Sequence, residues 1–352
     1  MDLHPTEDQR MLQDAAQRYL AERHPPAAAR AAAARPLPAR LAQWREIAGQ
    51  GWPALLAPVS QDGLGLGLGL GLGLREAWIV AEAAGRHLLS LPLAANMAVL
   101  PTLCAAGAAG PAAQWAAAMM AGDTYFADAV PRPDGSAFVE GAGEGVRALA
   151  VRRTGARALR LELLAPAAGE AGLDPTMPVA RVRSPEVLES ADLEAGPETW
   201  TLLRTRLRLL RTAELLGAAS AALDAAAAYA RERRQFDRAI GANQAVKHRL
   251  ADDWMALDDA RLAGVAAAAA LDAGAASAER DSLFAPLLAA EAGRRAAQSA
   301  IQVHGALGVT WECGAHLYLK RVLRLAASLE VEASRSELLE RIWEGAGGGL
   351  AA

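Results

Sequence analysis

Apolar positions recur at helical spacing through much of the first 120 residues. In TEDQRMLQDAAQRYLAERH, Met11, Leu12, Ala15 and Leu20 fall near one helical face, and Thr6 stands where a cap for the first turn is needed. LPARLAQWREIAGQGW and LREAWIVAEAAGRHLLSLP predict two further helices, the second stopped near Pro92. From about residue 121 the period changes. Leu159, Leu161 and Leu163 alternate with Arg160 and Glu162, and MPVARVRSP alternates in the same way, which predicts strands. From about residue 199 the helical period returns in very long segments, and ETWTLLRTRLRLLRTAELLGAASAALDAAAAYARERRQF contains no proline. Several such helices joined by short loops predict an antiparallel four-helix bundle. The expected fold is α+β and mainly α: a helical domain over 1–120, a small β-domain over 121–198 and a helical bundle over 199–352.

Composition supports the helical reading. Hydrophobic residues make up 53% of the chain and aromatics only 5%, with Ala and Leu, the best helix formers, dominating. The net charge of -4 and a pI near 5.9 give little electrostatic footing for nucleic acid or an anionic membrane. Cys104 and Cys313 are too few for a disulfide framework or a CxxC site, and His248, His304 and His316 lack metal-ligand spacing, so no metal is expected. The acidic, polar N-terminus argues against a secretory signal, and the most apolar runs are short for a bilayer span. A soluble, cytoplasmic protein is expected.

One low-complexity stretch invites a nucleotide-binding reading. Residues 63–74 are six Gly-Leu pairs, with every glycine at an odd position. The fingerprint GxGxxG and the loop GxxxxGK[ST] both require two glycines an odd number of residues apart, so a strict period of two satisfies neither. As a helix the run would carry six glycines at roughly 1 kcal/mol each, and as a strand it would expose bare backbone on one face. A loop with no regular strand is expected, its last Leu-Gly pairs drawn into the helix that carries Trp78.

The most informative segment is YARERRQFDRAIGANQAVKHRLAD, Tyr229 to Asp252. By spacing alone it predicts a helix ending in Arg231, Arg233 and Arg234, an irregular turn, and a second helix from about Asn243. An arginine in a last helical turn has an ordinary explanation, since it complements the macrodipole. The whole segment, with Tyr229, Arg233, Gln235, Phe236, Ile240, Gly241, Gln244, Lys247 and His248 in register, resembles the signature of the acyl-CoA dehydrogenase family. AIQVHGALGVTWECGAHLYLKR, Ala300 to Arg321, resembles that family's Q-x-x-G-G-x-G-x-T-x-E segment. ALLAPVSQDGLGLG and LDPTMPVARVR resemble, more loosely, its N-terminal glycine loop and the close of its β-domain.

The resemblance implies an FAD-dependent α,β-dehydrogenation of an acyl-CoA or carrier-bound acyl thioester, with an electron-transfer flavoprotein as acceptor. It implies that Arg233 and Gln244 reach the FAD of a neighbouring subunit, and that Gln302 and the turn Gly305-Ala306 pack on its diphosphate side. A guanidinium suits a pyrophosphate, and a small-residue turn permits close backbone approach. The family's catalytic carboxylate has no counterpart in register: its two known positions fall on Leu329 and Leu207, leaving Glu330 as the candidate base. The Thr-Glu…Gly-Ser-Asp stretch that contacts the flavin ring is reduced to Gly135-Ser136. The resemblance implies a homo- or hetero-oligomer, a dimer or a tetramer, and such losses match a short subunit of an α2β2 assembly that shares its flavin site with a partner dehydrogenase chain. Two rival readings stand beside it, a catalytically silent partner or scaffold subunit and a flavin monooxygenase on the same fold. No GxSxG elbow supports hydrolysis.

Overall fold

The computed structural model describes residues 3–59, 70–170, 172–332 and 335–345. Before the sheet come α1 (Glu7–Arg23), α2 (Ala29–Ala33), α3 (Leu37–Ala48), α4 (Leu74–Arg86), α5 (Leu93–Ala105) and α6 (Pro111–Ala121). After it come α7 (Pro197–Glu232), α8 (Gln244–Asp272), α9 (Ala278–His304), α10 (Ala315–Glu332) and α11 (Arg335–Gly345). The order is helices, sheet, helices. No described helix is long and apolar enough to cross a membrane. Contacts divide the chain into two units: Met1–Ala27 with Trp78–Leu89 and Arg211–Ala352, and Ala28–Ala77 with Ser90–Leu210.

The second unit holds the sheet. Its strands are β1 (Ala127–Pro131), β2 (Ala137–Glu140), β3 (Ala148–Gly155), β4 (Ala158–Leu164), β5 (Val179–Val182) and β6 (Val187–Glu194), in the order β5-β2-β1-β3-β4-β6. Only β1 and β3 run parallel; the other neighbours are antiparallel. The alternation in LRLELL settles how β4 lies: Leu159, Leu161 and Leu163 are buried, whereas Arg160 is exposed and pairs with Asp192 across the ladder. Of the Gly-Leu run, residues 63–69 fall outside the described residues. The amides of Leu70, Gly71 and Leu72 donate to the carbonyls of Ala54, Ala57 and Leu55, and only Leu74 joins the helix carrying Trp78.

The first unit is helical. Thr6 and Gln9 form a capping box at the start of α1, each side chain satisfying the other's backbone amide. α4 and α7 cross at two glycines. A Cβ on Gly85 would stand 1.9 Å from the Glu214 carbonyl oxygen, and one on Gly217 the same distance from that of Glu82. α4 also stops earlier than Pro92 suggested. It ends at Arg86, and Leu88 takes a left-handed φ of 49°. The fully buried Arg321 of α10 explains that end: its Nη1 donates to the Leu89 carbonyl at 3.2 Å and to Glu214 Oε1 at 2.8 Å. A buried guanidinium with a carboxylate and an open helix end to satisfy leaves the chain little room to continue as a helix.

Candidate functional site

The segment between α7 and α8 is a strained hairpin. Arg233 closes the last turn of α7 with its amide on the Tyr229 carbonyl, and its own carbonyl accepts from Ile240 at 2.9 Å. Between them β7 (Arg234–Gln235) and β8 (Arg238–Ala239) pair around a two-residue turn. Both turn residues must then adopt positive φ, a place usually filled by Asn-Gly. Here Phe236 (52°) and Asp237 (64°) fill it, and Arg234 Nη2 steadies the turn by donating to the Asp237 carbonyl at 2.8 Å. Phe236 is 96% exposed.

α8 opens next to this hairpin with its first turn uncapped. Asn243 sits at the capping position but spends its side chain elsewhere: Oδ1 accepts from Arg238 Nη2 at 2.6 Å and Nδ2 donates to the Ile240 carbonyl. The amide dipoles of a long helix therefore start at Gln244 with no side-chain oxygen against them, a suitable end for an anion. α8 and α9 form an antiparallel pair, with Arg295 Nε donating to the buried Asp253 at 2.6 Å, so the start of α8 lies beside the end of α9. At that end the His304 ring stacks on Tyr229, centroids 4.6 Å apart and planes 27° apart. The helix then terminates on Gly305 at φ 62°, where a Cβ would meet open space.

Arg233, Gln244, Gln302, Gly305 and Ala306 are thus brought to one end of the helical unit, and all five are exposed. The local charge is strongly positive. Between Tyr229 and Arg249 stand Arg231, Arg233, Arg234, Arg238, Lys247 and Arg249 against Glu232 and Asp237, in a chain of net charge -4. Donors, positive charge and an unobstructed glycine fit a pyrophosphate. Exposure of all five residues leaves that ligand's other side to be covered from outside this end of the chain.

Glu330 is not among them. It lies on α10 with its side chain 56% exposed and bonded to Arg294 of α9, about two helical turns back from Gln302. It borders a cleft of about 490 Å³ whose floor includes Leu287, Leu329 and Leu338. Leu329 is buried. In the other unit, Leu207 stands between Arg206, whose Nη1 donates to Thr102 Oγ1 at 2.9 Å, and the buried Arg208. Gly135-Ser136 has a local role, turning β1 into β2. Asp134 Oδ1 accepts from the Ser136 hydroxyl (2.6 Å) and amide (3.0 Å), bonds that with Arg181 hold its carboxyl below the usual range. Sequence reasoning missed that Asn243 spends its side chain on the hairpin instead of capping α8, and it missed the Tyr229–His304 stack. The first was detectable, since Asn before a helix raises the question of what it caps, whereas the stack joins residues 75 positions apart and leaves no local trace.

Comparisons with known proteins follow the same outline. A family model described as the N-terminal domain of acyl-CoA dehydrogenase matches residues 6–123, and one described as the C-terminal domain matches residues 200–345. Acyl-CoA dehydrogenase IpdE2 of Mycobacterium tuberculosis is 33% identical over 345 residues, covering 97% of this chain and 99% of the relative. A chain of the ChsE4-ChsE5 complex from Mycobacterium tuberculosis superposes with a TM-score of 0.77 at 24% identity, over 100% of both chains. The structure of PigA with FAD and proline superposes with a TM-score of 0.79 at 20% identity, over 99% of each. At these identities the two solved structures show the shared fold.

Proposed function

The chain belongs to the acyl-CoA dehydrogenase family, and from that premise we propose that it is a subunit of an FAD-dependent enzyme that introduces an α,β double bond into an acyl-CoA or carrier-bound acyl thioester. Arg233 and the uncapped start of α8 at Gln244 hold the pyrophosphate of FAD through charge-assisted hydrogen bonds. Gln302 adds an amide, and the Gly305-Ala306 turn lets backbone approach the diphosphate. Bound there, FAD would supply the acceptor for the hydride that leaves the β-carbon. Because these residues all face solvent, a second chain must cover the site and exclude water. The gathering of Arg233, Gln244 and Gln302 at one open, cationic end carries this reading.

The α-proton must leave to a carboxylate, and this chain is poorly provided with one. Leu207 and Leu329 carry no acid, and the carboxylate of Glu330 is already engaged by Arg294. The base therefore comes from the partner chain, and this subunit supports a flavin site whose proton transfer happens elsewhere. Relatedness in fold to a chain of a two-component complex supports that division. Reoxidation falls to an electron-transfer flavoprotein. The test is to purify the chain alone and co-expressed with a neighbouring dehydrogenase chain, and to measure FAD per complex and turnover. Flavin and activity are expected only in the co-expressed assembly. A homo-oligomer holding one FAD per chain with full activity would overturn the proposal.

A further inference from the structure

The second unit buries a positive charge that its own residues leave uncompensated. Arg40, on α3, is 3% exposed, and Tyr125, just ahead of β1, is 2% exposed. Arg40 Nη1 donates to the Ala142 carbonyl at 3.2 Å and Nη2 to the Gly141 carbonyl at 3.1 Å. Its Nε, also buried, has no acceptor, and the Tyr125 hydroxyl has no partner either. The two groups are neighbours, with the guanidinium carbon 5.4 Å from the centre of the Tyr125 ring. Among the described residues no carboxylate pairs with Arg40.

The surrounding chain is shaped to admit this guanidinium. A Cβ on Gly143 would come within 2.4 Å of Arg40 Nη1, so a larger residue in the loop after β2 would push the guanidinium from its present place. Trp44, whose ring centre is 5.7 Å from that of Tyr125, commits its indole N–H to the Met119 carbonyl and is not the missing acceptor. Burial pushes the Arg40 pKa down, with Tyr125 opposing, and pushes the Tyr125 hydroxyl up to about 12, with Arg40 opposing. Arginine nonetheless stays protonated in proteins, and an unpaired buried charge is among the most costly features a fold can hold. A water molecule would give the two N–H and O–H donors an acceptor but no counter-charge. A small anion gives both.

We propose that Arg40 Nε and the Tyr125 hydroxyl bind a small monovalent anion of chloride size inside the second unit. The site offers two buried donors on neighbouring side chains, one of them cationic, that have no acceptor, and among the described residues no carboxylate pairs with Arg40. The anion ties α3 to the segment leading into β1 and to the glycine loop after β2, so its loss loosens the packing of helix on sheet.

Bromide, a heavier stand-in for chloride, tests this directly. Crystals grown in sodium bromide should show an anomalous peak within hydrogen-bonding distance of Arg40 Nε and Tyr125 Oη. In solution, exchanging gluconate for chloride at constant ionic strength should raise the melting midpoint. The rise should be roughly 2–4 °C for each tenfold increase in chloride above the dissociation constant. Tyr125→Phe keeps the ring and removes one donor, and should abolish most of that chloride dependence. Arg40→Met removes a side chain that the fold itself is built around, so the bromide map on the unaltered protein is the deciding measurement. A peak without anomalous signal marks a water and overturns the proposal, as does a midpoint indifferent to chloride.

Discussion

Two side chains test the chemistry at the scale of single residues. Glu330 is the one acid next to a family base position, yet its carboxylate is half in water and bonded to Arg294. A base is made effective by desolvation and by freedom to take the proton. Turnover of an active assembly carrying Glu330→Gln should therefore stay within about twofold of the parent, since general-base loss costs about a hundredfold or more. His316 gives a second expectation. It is buried against the edge of Trp311, ring centres 4.6 Å apart, and Lys320 lies over the same indole. Burial first and Lys320 second push its pKa below the ordinary histidine value, and burial and Arg86 do the same to His87. With the folded pKa depressed, the unfolded chain takes up the proton first as pH falls. Stability should be flat above about pH 6.5 and decline below it. Thermal midpoints at pH 7.5 and 5.5 should differ less in His316→Gln than in the parent; an unchanged difference removes His316 from the account.

At the scale of elements, the crossing of α4 over α7 depends on two hydrogens. Gly217→Ala would drive a methyl into the Glu82 carbonyl, which is backbone and cannot swing aside. Overpacking of this kind costs about 1–3 kcal/mol, so the melting midpoint should fall by roughly 3–10 °C. Gly85→Ala should behave similarly from the other side of the crossing. An unchanged midpoint in both variants would show that the helices can separate freely. This crossing also marks where the sequence stops being legible. The α1 capping box, the Leu159–Leu161–Leu163 face and the start of α8 all depend on residues within a few positions of one another, and their spacing announces them. The end of α4 depends on Arg321, more than 230 residues away, and so Pro92 looked like the natural stop. The candidate site was legible where a family motif preserves residue type, at Arg233, Gln244 and Gln302. Its openness was not, because exposure is decided by what packs beside a residue. The Arg40–Tyr125 pair was invisible for the same reason: nothing near position 40 indicates that its charge will be buried 85 residues from its aromatic neighbour.

For the whole molecule, charge and exposure at the α7–α9 end are the features on which the proposed sharing of FAD rests. Phe236 and Val309 are among its large exposed apolar side chains, set beside a dense group of arginines. Exposed apolar side chains rimmed by polar groups mark contact surfaces, while the cations supply an attraction that salt can screen. If Arg233 and its neighbours hold a pyrophosphate from one side only, flavin retention in the assembly should depend on ionic strength more steeply than it would in an enclosed pocket. Raising salt from about 0.05 to 0.5 M shortens the Debye length from roughly 14 to 4 Å and should weaken FAD binding severalfold. Arg233→Lys keeps the charge but gives up paired hydrogen bonding, so it should lose affinity while retaining the salt dependence. Arg233→Ala should lose affinity and part of the salt dependence, the neighbouring cations supplying the rest, with flavin passing into the filtrate on dilution and the assembly still intact by light scattering. Flavin fluorescence titrations across the three proteins at two salt concentrations distinguish these outcomes. Equal affinity in all three would place the pyrophosphate away from this end of the chain, and the role proposed for Gln244 and Gln302 would fail with it.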